Sequence, residues 1–302
     1  MFFCALLFFS FCTHAQRADD PQQTGSPFGE KIPAYNFNKP DRVLTLPDTL
    51  REVSGLTHLD STTIACIQDE NGILFFYDIA NNCIKKQVRF YSNGDYEGIA
   101  RVGQTLFILR SDGMLFEIPD YETGNLEPDS IRTGVPANNN EGLCYDAHNN
   151  RLLIACKSNT SKGPEHQDKR AIYAFDLKRR KLSDQPVFIF DLAAIKKFAL
   201  EQGIRLPVNV KKKEEKADPV LRFRTSAIAI HPVSKKLYLL SAVDHLLFIF
   251  DMSGNIEHIE QLNQSVYNKA EGIGFFENGD VLISNEAQQK KPTLLRIRYH
   301  GD

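Results

Sequence analysis

The chain lacks an excess of either charge: 36 Lys and Arg stand against 38 Asp and Glu in 302 residues, a formal net charge of −2. Phosphate-binding surfaces usually leave a basic surplus, so this balance argues against a nucleic-acid partner. Long apolar runs are also missing. The one candidate, Phe2 to Cys12, is too short to span a bilayer. No Cys-x-x-Cys pair or His/Cys spacing suits zinc. No GxSxG elbow, HExxH helix or P-loop occurs, which removes the common signatures of nucleophilic, zinc-dependent and nucleotide-dependent catalysis. With 25% charged and 42% hydrophobic residues, the chain is neither wholly disordered nor collagenous. Its length allows one large β or α/β domain or two medium ones.

What is present begins with Met1 to Ala15, where an apolar stretch is followed by Thr13 and Ala15, spaced like a signal-peptidase site. The expectation is a signal peptide over 1–15 and a periplasmic or extracellular protein. The alternative is a lipoprotein anchored through Cys12, although Phe11 stands where a lipobox carries a small residue. Residues 16–40, rich in Gln, Asp, Pro and Gly, read as a flexible leader. Of the remaining cysteines, Cys66, Cys144 and Cys156 lie in apolar runs and suit a buried role. Cys144 and Cys156 could face each other across a hairpin, but nothing in the sequence fixes that register.

The strongest signal is internal repetition. A short apolar strand recurs at Ser54-Gly55-Leu56, Glu97-Gly98-Ile99, Glu141-Gly142-Leu143, Ser226-Ala227-Ile228 and Glu271-Gly272-Ile273, at intervals of 43, 44, 85 and 45 residues. Each is followed by a turn and two more apolar strands, and the first four by a polar fourth. Four short antiparallel strands at such a period make a β-propeller blade. The 85-residue interval holds no sixth strand triplet: residues 191–203 have helical spacing and 205–219 are polar. The fold class is therefore all-β, a five-bladed propeller over 41–302 with a helical and polar insertion between blades 3 and 4. A smaller insertion, 158–170, falls inside blade 3. Asp41 to Pro47 supplies a spare strand that completes blade 5 and closes the ring, removing an open edge.

Propeller geometry then gathers side chains. The start of each first strand and the end of each second strand share one face, which brings Glu97, Glu141 and Glu271 around one mouth of the channel. The sequence reading treats them as three adjacent acidic blades, with Ser54 and Ser226 uncharged at the equivalent positions. Glu52, Asp112, Asp244, His245 and Glu286 join the rim, with Gln68 and Asp69. Converging carboxylates repel unless protonated or bridged by a cation, and hard oxygen ligands in a flexible ring suit Ca²⁺. Alternatively, Glu-Gly simply makes a tight strand opening, its carboxylate bonded to backbone amides.

These segments, Glu52-Val53-Ser54-Gly55-Leu56, Asp95-Tyr96-Glu97-Gly98-Ile99, Asn140-Glu141-Gly142-Leu143, Ser226-Ala227-Ile228 and Lys269-Ala270-Glu271-Gly272-Ile273, with Ser284-Asn285-Glu286, resemble the SdiA-regulated family of bacterial propellers, distantly similar to NHL-repeat propellers. The resemblance spans about residues 41–300. It implies a five-bladed propeller with a Ca²⁺ site, for which Glu97, Glu141 and Glu271 match by position. Ala227, in place of a glycine, and the long insertion depart from the pattern.

Two functions follow as expectations. One is a secreted calcium-binding module that holds a small-molecule or protein ligand at the channel mouth. The other is a Ca²⁺-dependent hydrolase of lactones, esters or phosphoesters, with His245 or His166 as rim base and Lys162, Lys169, Arg170 and Lys211 to Lys213 as phosphate contacts. Whether the chain is an enzyme stays open. Asn138, Asn139 and Asn140 could add amide oxygens to the metal or make an ordinary turn. His58, His148 and His231 follow first strands and belong to the opposite face.

Overall fold

The computed structural model describes Met1 and residues 34–123, 126–137, 139–159, 167–209 and 218–301. The expected signal peptide, Cys12, most of the leader, His166, Lys162 and Lys211 to Lys213 lie outside them. Five four-stranded antiparallel sheets form a ring. Blade 1 comprises Val53–His58, Thr63–Gln68, Ile73–Asp78 and Cys83–Arg89; blade 2 comprises Tyr96–Val102, Thr105–Arg110, Met114–Ile118 and Asp129–Arg132. Blade 3 has Asn140–Asp146, Arg151–Cys156 and Lys169–Asp176. Its outer edge is split between Lys181–Leu182 and Phe188–Asp191. Blade 4 is Ala227–Ile230, Leu237–Ser241, Leu246–Phe250 and Ile256–Gln261. Blade 5 is Ala270–Phe275, Val281–Asn285, Thr293–Ile297 and, from the other end of the chain, Arg42–Thr45.

Strand position within a blade follows from side-chain alternation. In blade 1 the second strand, TIACIQ, is buried at every residue because it has a sheet neighbour on either side and a blade on either face. The outer strand, CIKKQVR, alternates exposed and half-buried residues, as an edge with one wet face must. Apolar faces of adjacent blades stack into seams. Ala65, Ile67 and Phe76 meet Ile99, Ile108 and Phe116 between blades 1 and 2, and Leu56, Ile64 and Phe75 meet Leu282 and Leu294 between blades 1 and 5. No single blade could bury its own two faces, so stability belongs to the ring.

Closure uses both ends of the chain. Arg42–Thr45 pairs antiparallel with Thr293–Arg296, and Asp41 accepts from the Arg298 amide at 2.8 Å and from its Nε at 2.6 Å. Residues just ahead of this strand are packed as well. Phe37 is buried and its carbonyl accepts from Tyr267 Oη, while Tyr35 stacks among His231, Tyr238 and Tyr299 at the seam of blades 4 and 5.

The insertion between blades 3 and 4 forms the helix Leu192–Glu201, capped by Asp191, whose carboxylate accepts from Ala194 N at 3.0 Å. Ile195 and Ala199 bury against the same apolar cluster as Phe190 and Phe223. A two-residue ladder, Val208–Asn209 with Asp218–Pro219, follows it. Cys66, Cys83, Cys144 and Cys156 are free thiols. Cys144 is paired with Leu153 and Cys156 with Asn140, so the two do not face each other across their hairpin. Among the described residues no helix is long and apolar enough to cross a membrane.

Candidate functional site

The acidic residues reach the axis through a repeated backbone irregularity. In four blades the pairing of strands one and two shifts by one residue: between Val53 and Gly55, Tyr96 and Gly98, Asn140 and Gly142, and Ala270 and Gly272. The unpaired residues at these bulges are Ser54, Glu97, Glu141 and Glu271. A bulge re-aims its extra side chain away from the sheet, here toward the channel. The following glycine is required because the inner strands crowd one another. A Cβ on Gly98 would lie 2.7 Å from Leu143 Cβ, and one on Gly142 would lie 2.9 Å from Ile228 Cγ1.

Blade order corrects the expected clustering. First strands touch in the order 1, 2, 3, 4, 5 and back to 1, so Glu97 and Glu141 are neighbours and Glu271 is separated from both by a serine blade. The two serines are clips between blades. Ser54 Oγ donates to the Tyr96 carbonyl at 2.6 Å and Ser226 Oγ to the Ala270 carbonyl at 2.8 Å, both buried. Neither hydroxyl has a base beside it. That leaves them tying the ring together rather than attacking a substrate.

Two lysines complete the mouth, and both were missed by a search confined to carboxylates. Lys157 bonds Glu141, and its charge also acts on Glu271 and Glu97; Lys269 bonds Glu286 and lies 3.5 Å from Glu271. Lys157 was detectable in the sequence, since it follows a second strand at the place that Asp69 and Glu286 occupy in blades 1 and 5. The backbone bonds Asp69 N to Glu52 O, Lys157 N to Asn139 O and Glu286 N to Lys269 O show the equivalence. The carboxylates that these ammonium groups act on, Glu97, Glu141, Glu271, Glu286 and Asp69, outnumber the two ammonium groups.

Burial is the main cause of the raised proton affinities here, and neighbouring charge comes second. Burial, then Glu141 and Asp95, pushes Glu97 up to about 9. Burial outweighs Lys157 to lift Glu141 to about 7, and burial with a hydrogen bond that protonated Glu286 donates to Glu52 lifts Glu286 to about 8. Glu271 is raised by burial. Beside them burial, Glu52 and Glu70 push Asp69 to about 6. The cluster therefore stays ionised only with a compensating cation, and otherwise retains protons shared among its members.

A hollow at this mouth, lined by Ser54, Glu97, Glu141 and Gly272 among others but by neither Glu271 nor Glu286, measures about 10 Å³. That is space for one water or one ion. Among the described residues six buried side-chain polar atoms lack a hydrogen-bond partner. Five of them, Asp69 Oδ1, Asn139 Oδ1, Asn140 Oδ1, Ser284 Oγ and Asn285 Oδ1, sit at strand ends of this mouth. Four are pure acceptors, each of which a water or a cation would satisfy. As the side chains stand, no three His, Cys, Asp or Glu groups among the described residues close to metal-ligand distances; Lys157 and Lys269 hold Glu141, Glu271 and Glu286 instead.

The other rim residues have different employment. Asp112 is half-exposed, forms a bidentate pair with Arg110 at 2.8 and 3.0 Å and supports the Met114 amide. Asp244 is buried and accepts from the amides of Arg222 and Phe223 and from Ser241 Oγ. Arg170 donates to the carbonyls of the same two residues. Together they clamp Phe223 at φ 45°, a strained conformation for a bulky side chain. His245 has its ring against the Tyr267 carbonyl at 3.1 Å. Gln68 Oε1 accepts from the amides of Glu70 and Asn71 and shapes that turn.

At the other end the channel widens into a cavity of about 770 Å³, into which His58 and His148 look. His231 is fully buried: Nδ1 accepts from the amides of Val233 and Ser234, so Nε2 carries the proton toward Tyr35 Oη at 2.7 Å. Burial holds it neutral, with its proton affinity lowered to about 4.

Five blades of four antiparallel strands around a channel define a β-propeller. Glutaminyl cyclase from Myxococcus xanthus superposes with a TM-score of 0.57 at 14% identity, covering 86% of this chain and 95% of that one. A structural-genomics protein of unknown function from Bacteroides thetaiotaomicron gives 0.50 at 8%, covering 82% and 70%. Streptogramin B lyase gives 0.50 at 9%, covering 85% and 97%. At these identities the likeness is one of fold. No family model matches the chain, and no curated protein does.

Proposed function

We propose that the acidic mouth is a Ca²⁺ site and that the protein is a binding propeller, secreted if the N-terminal segment is cleaved, in keeping with its resemblance to the SdiA-regulated family. The observation that carries this reading is the excess of buried carboxylates over ammonium groups at this mouth, with Glu97 and Glu141 lining a one-ion hollow. A divalent cation would offset two of the excess charges. Glu97, Glu141 and Glu271 would hold it, with Asn139, Asn140 or Asn285 oxygens available to complete a hard-ligand shell. Bound there, Ca²⁺ would cancel the repulsion among blades 2, 3 and 5 and free Lys157 from its bridging position.

The two serines at the mouth are spent on backbone carbonyls, which favours binding over nucleophilic hydrolysis.

Calorimetric titration of the chain with Ca²⁺ tests the reading. Because Glu97 binds its proton above neutrality and Glu141 near it, binding at pH 7 should release about one to two protons, measurable by repeating the titration in buffers of different ionisation enthalpy. Absence of heat, or binding unaltered in Glu97→Gln, Glu141→Gln and Glu271→Gln, would refute it. Turnover of an ester, lactone or phosphoester that survives in the triple variant would refute a role for this mouth in any chemistry.

A further inference from the structure

The wide end of the channel carries a site that the acidic mouth does not explain. Its floor is a ring of five aliphatic side chains, one per blade: Leu56, Ile99, Leu143, Ile228 and Ile273, all buried, which also close the bottom of the acidic hollow. The next residue outward in every blade is small, namely Thr57, Ala100, Cys144, Ala229 and Gly274. Small residues at one level of all five inner strands leave the space that becomes the cavity of about 770 Å³, within the range of pockets that hold small organic ligands.

Charge at its rim is uneven. Arg101 on blade 2 and Lys235 on blade 4 line the cavity, with His148 of blade 3 between them. Arg101 donates only to the carbonyls of Gly103 and Leu59, and Lys235 only to that of Pro232; among the described residues neither has an ion pair. The one carboxylate in the lining, Asp146, is already held by Arg151 at 2.8 Å and by Asn149. Asp60 and Glu277 line a neighbouring hollow on the side of blades 1 and 5 that shares His58 with the funnel, and their charge acts on His58 across the cavity from Lys235; Asp60 is spent on the amides of Thr62 and Thr63. A blind apolar funnel with two unneutralised cations on one side of its rim matches a molecule with an apolar body and one anionic head.

We propose that this funnel binds an amphipathic monocarboxylate, its hydrocarbon body on the aliphatic floor and its carboxylate at Arg101 and Lys235. The site is independent of the ion at the other mouth, because the aliphatic ring separates the two.

The test is calorimetric titration of the full chain, in excess chelator, with octanoate, octan-1-ol and octyltrimethylammonium as probes. Octanoate should bind saturably with one-to-one stoichiometry, octanol about tenfold more weakly, as loss of a charge-assisted bond implies, and the cationic probe not measurably. Arg101→Gln with Lys235→Gln should bring octanoate down to the octanol level and leave octanol unchanged. Lys235→Gln alone, on an exposed turn, should move octanoate the same way by a smaller factor and keeps the test open if Arg101→Gln unfolds the chain. No saturable octanoate binding, equal binding of octanoate and octanol, or octanoate binding untouched by the substitutions would each overturn the proposal. Chelation removes the acidic-mouth reading from the experiment, so either proposal can fail alone.

Discussion

The two ends of the channel are built by the same five inner strands, yet one is a polar hollow of about 10 Å³ and the other an apolar funnel of about 770 Å³. Three residues along each strand account for the contrast. In four of the five strands a bulged residue turns a carboxylate or serine inward and the glycine after it lets the backbones crowd, narrowing one end, with Ser226-Ala227 at that place in blade 4; a small side chain two positions further on opens the other. Between them the aliphatic ring acts as a septum. Strand direction alone therefore separates a site for charge from a site for hydrocarbon, with no need for separate domains.

The largest effect should come from breaking the septum. Leu143→Ala removes a buried side chain packed against Gly98, and should cost about 2–4 kcal/mol in denaturant melts; it should also join the two hollows, so that octanoate affinity becomes sensitive to Ca²⁺. If stability barely changes, the septum is not a packed layer. Next in size is the acidic mouth itself. Saturating Ca²⁺ at a hundredfold excess over Kd should stabilise the wild type by about 2.7 kcal/mol and the Glu97→Gln, Glu141→Gln, Glu271→Gln variant by nothing measurable.

The same cluster sets a pH dependence. Glu97, Glu141 and Glu286 bind protons more tightly folded than unfolded, so the folded state holds more protons between about 4.5 and about 9. Stability without Ca²⁺ should therefore fall as pH rises through that window. Thermal melts from pH 5 to 9 in chelator should decline, and Glu97→Gln should flatten the decline by raising the melting temperature at the alkaline end. A melting temperature that climbs with pH would mean the carboxylates are already compensated. Smaller again is Ser54→Ala, which leaves the buried Tyr96 carbonyl without its clip and should cost about 1 kcal/mol. Asp112→Asn, at an exposed pair with Arg110, should stay within about 0.5 kcal/mol.

The blade count, the closing strand and the helix in the insertion were legible in the sequence because each leaves a periodic trace: Glu-Gly or Ser-Gly every forty-odd residues, a spare DRVLTLP, and apolar spacing through DLAAIKKFALEQG. The acidic mouth was legible in part. Glu97, Glu141 and Glu271 follow from the repeat, but whether a side chain at a strand end faces the axis depends on the local turn, and Asp112 and Asp244 are captured by Arg110 and the 222–223 backbone instead. Lys157 and Lys269 escaped because a search for metal ligands looks for one sign of charge. The funnel escaped for a different reason. Its lining residues read as ordinary core, and a void cannot be inferred from residues that would fill it equally well.

The pairing of Arg42–Thr45 with Thr293–Arg296 joins the two strands that lie furthest apart in the sequence among those described. Bringing them together closes a very long loop, which is unfavourable until the contacts in between have formed. The ring should therefore close late in folding, and a variant lacking 293–297 should be open to proteases at that junction.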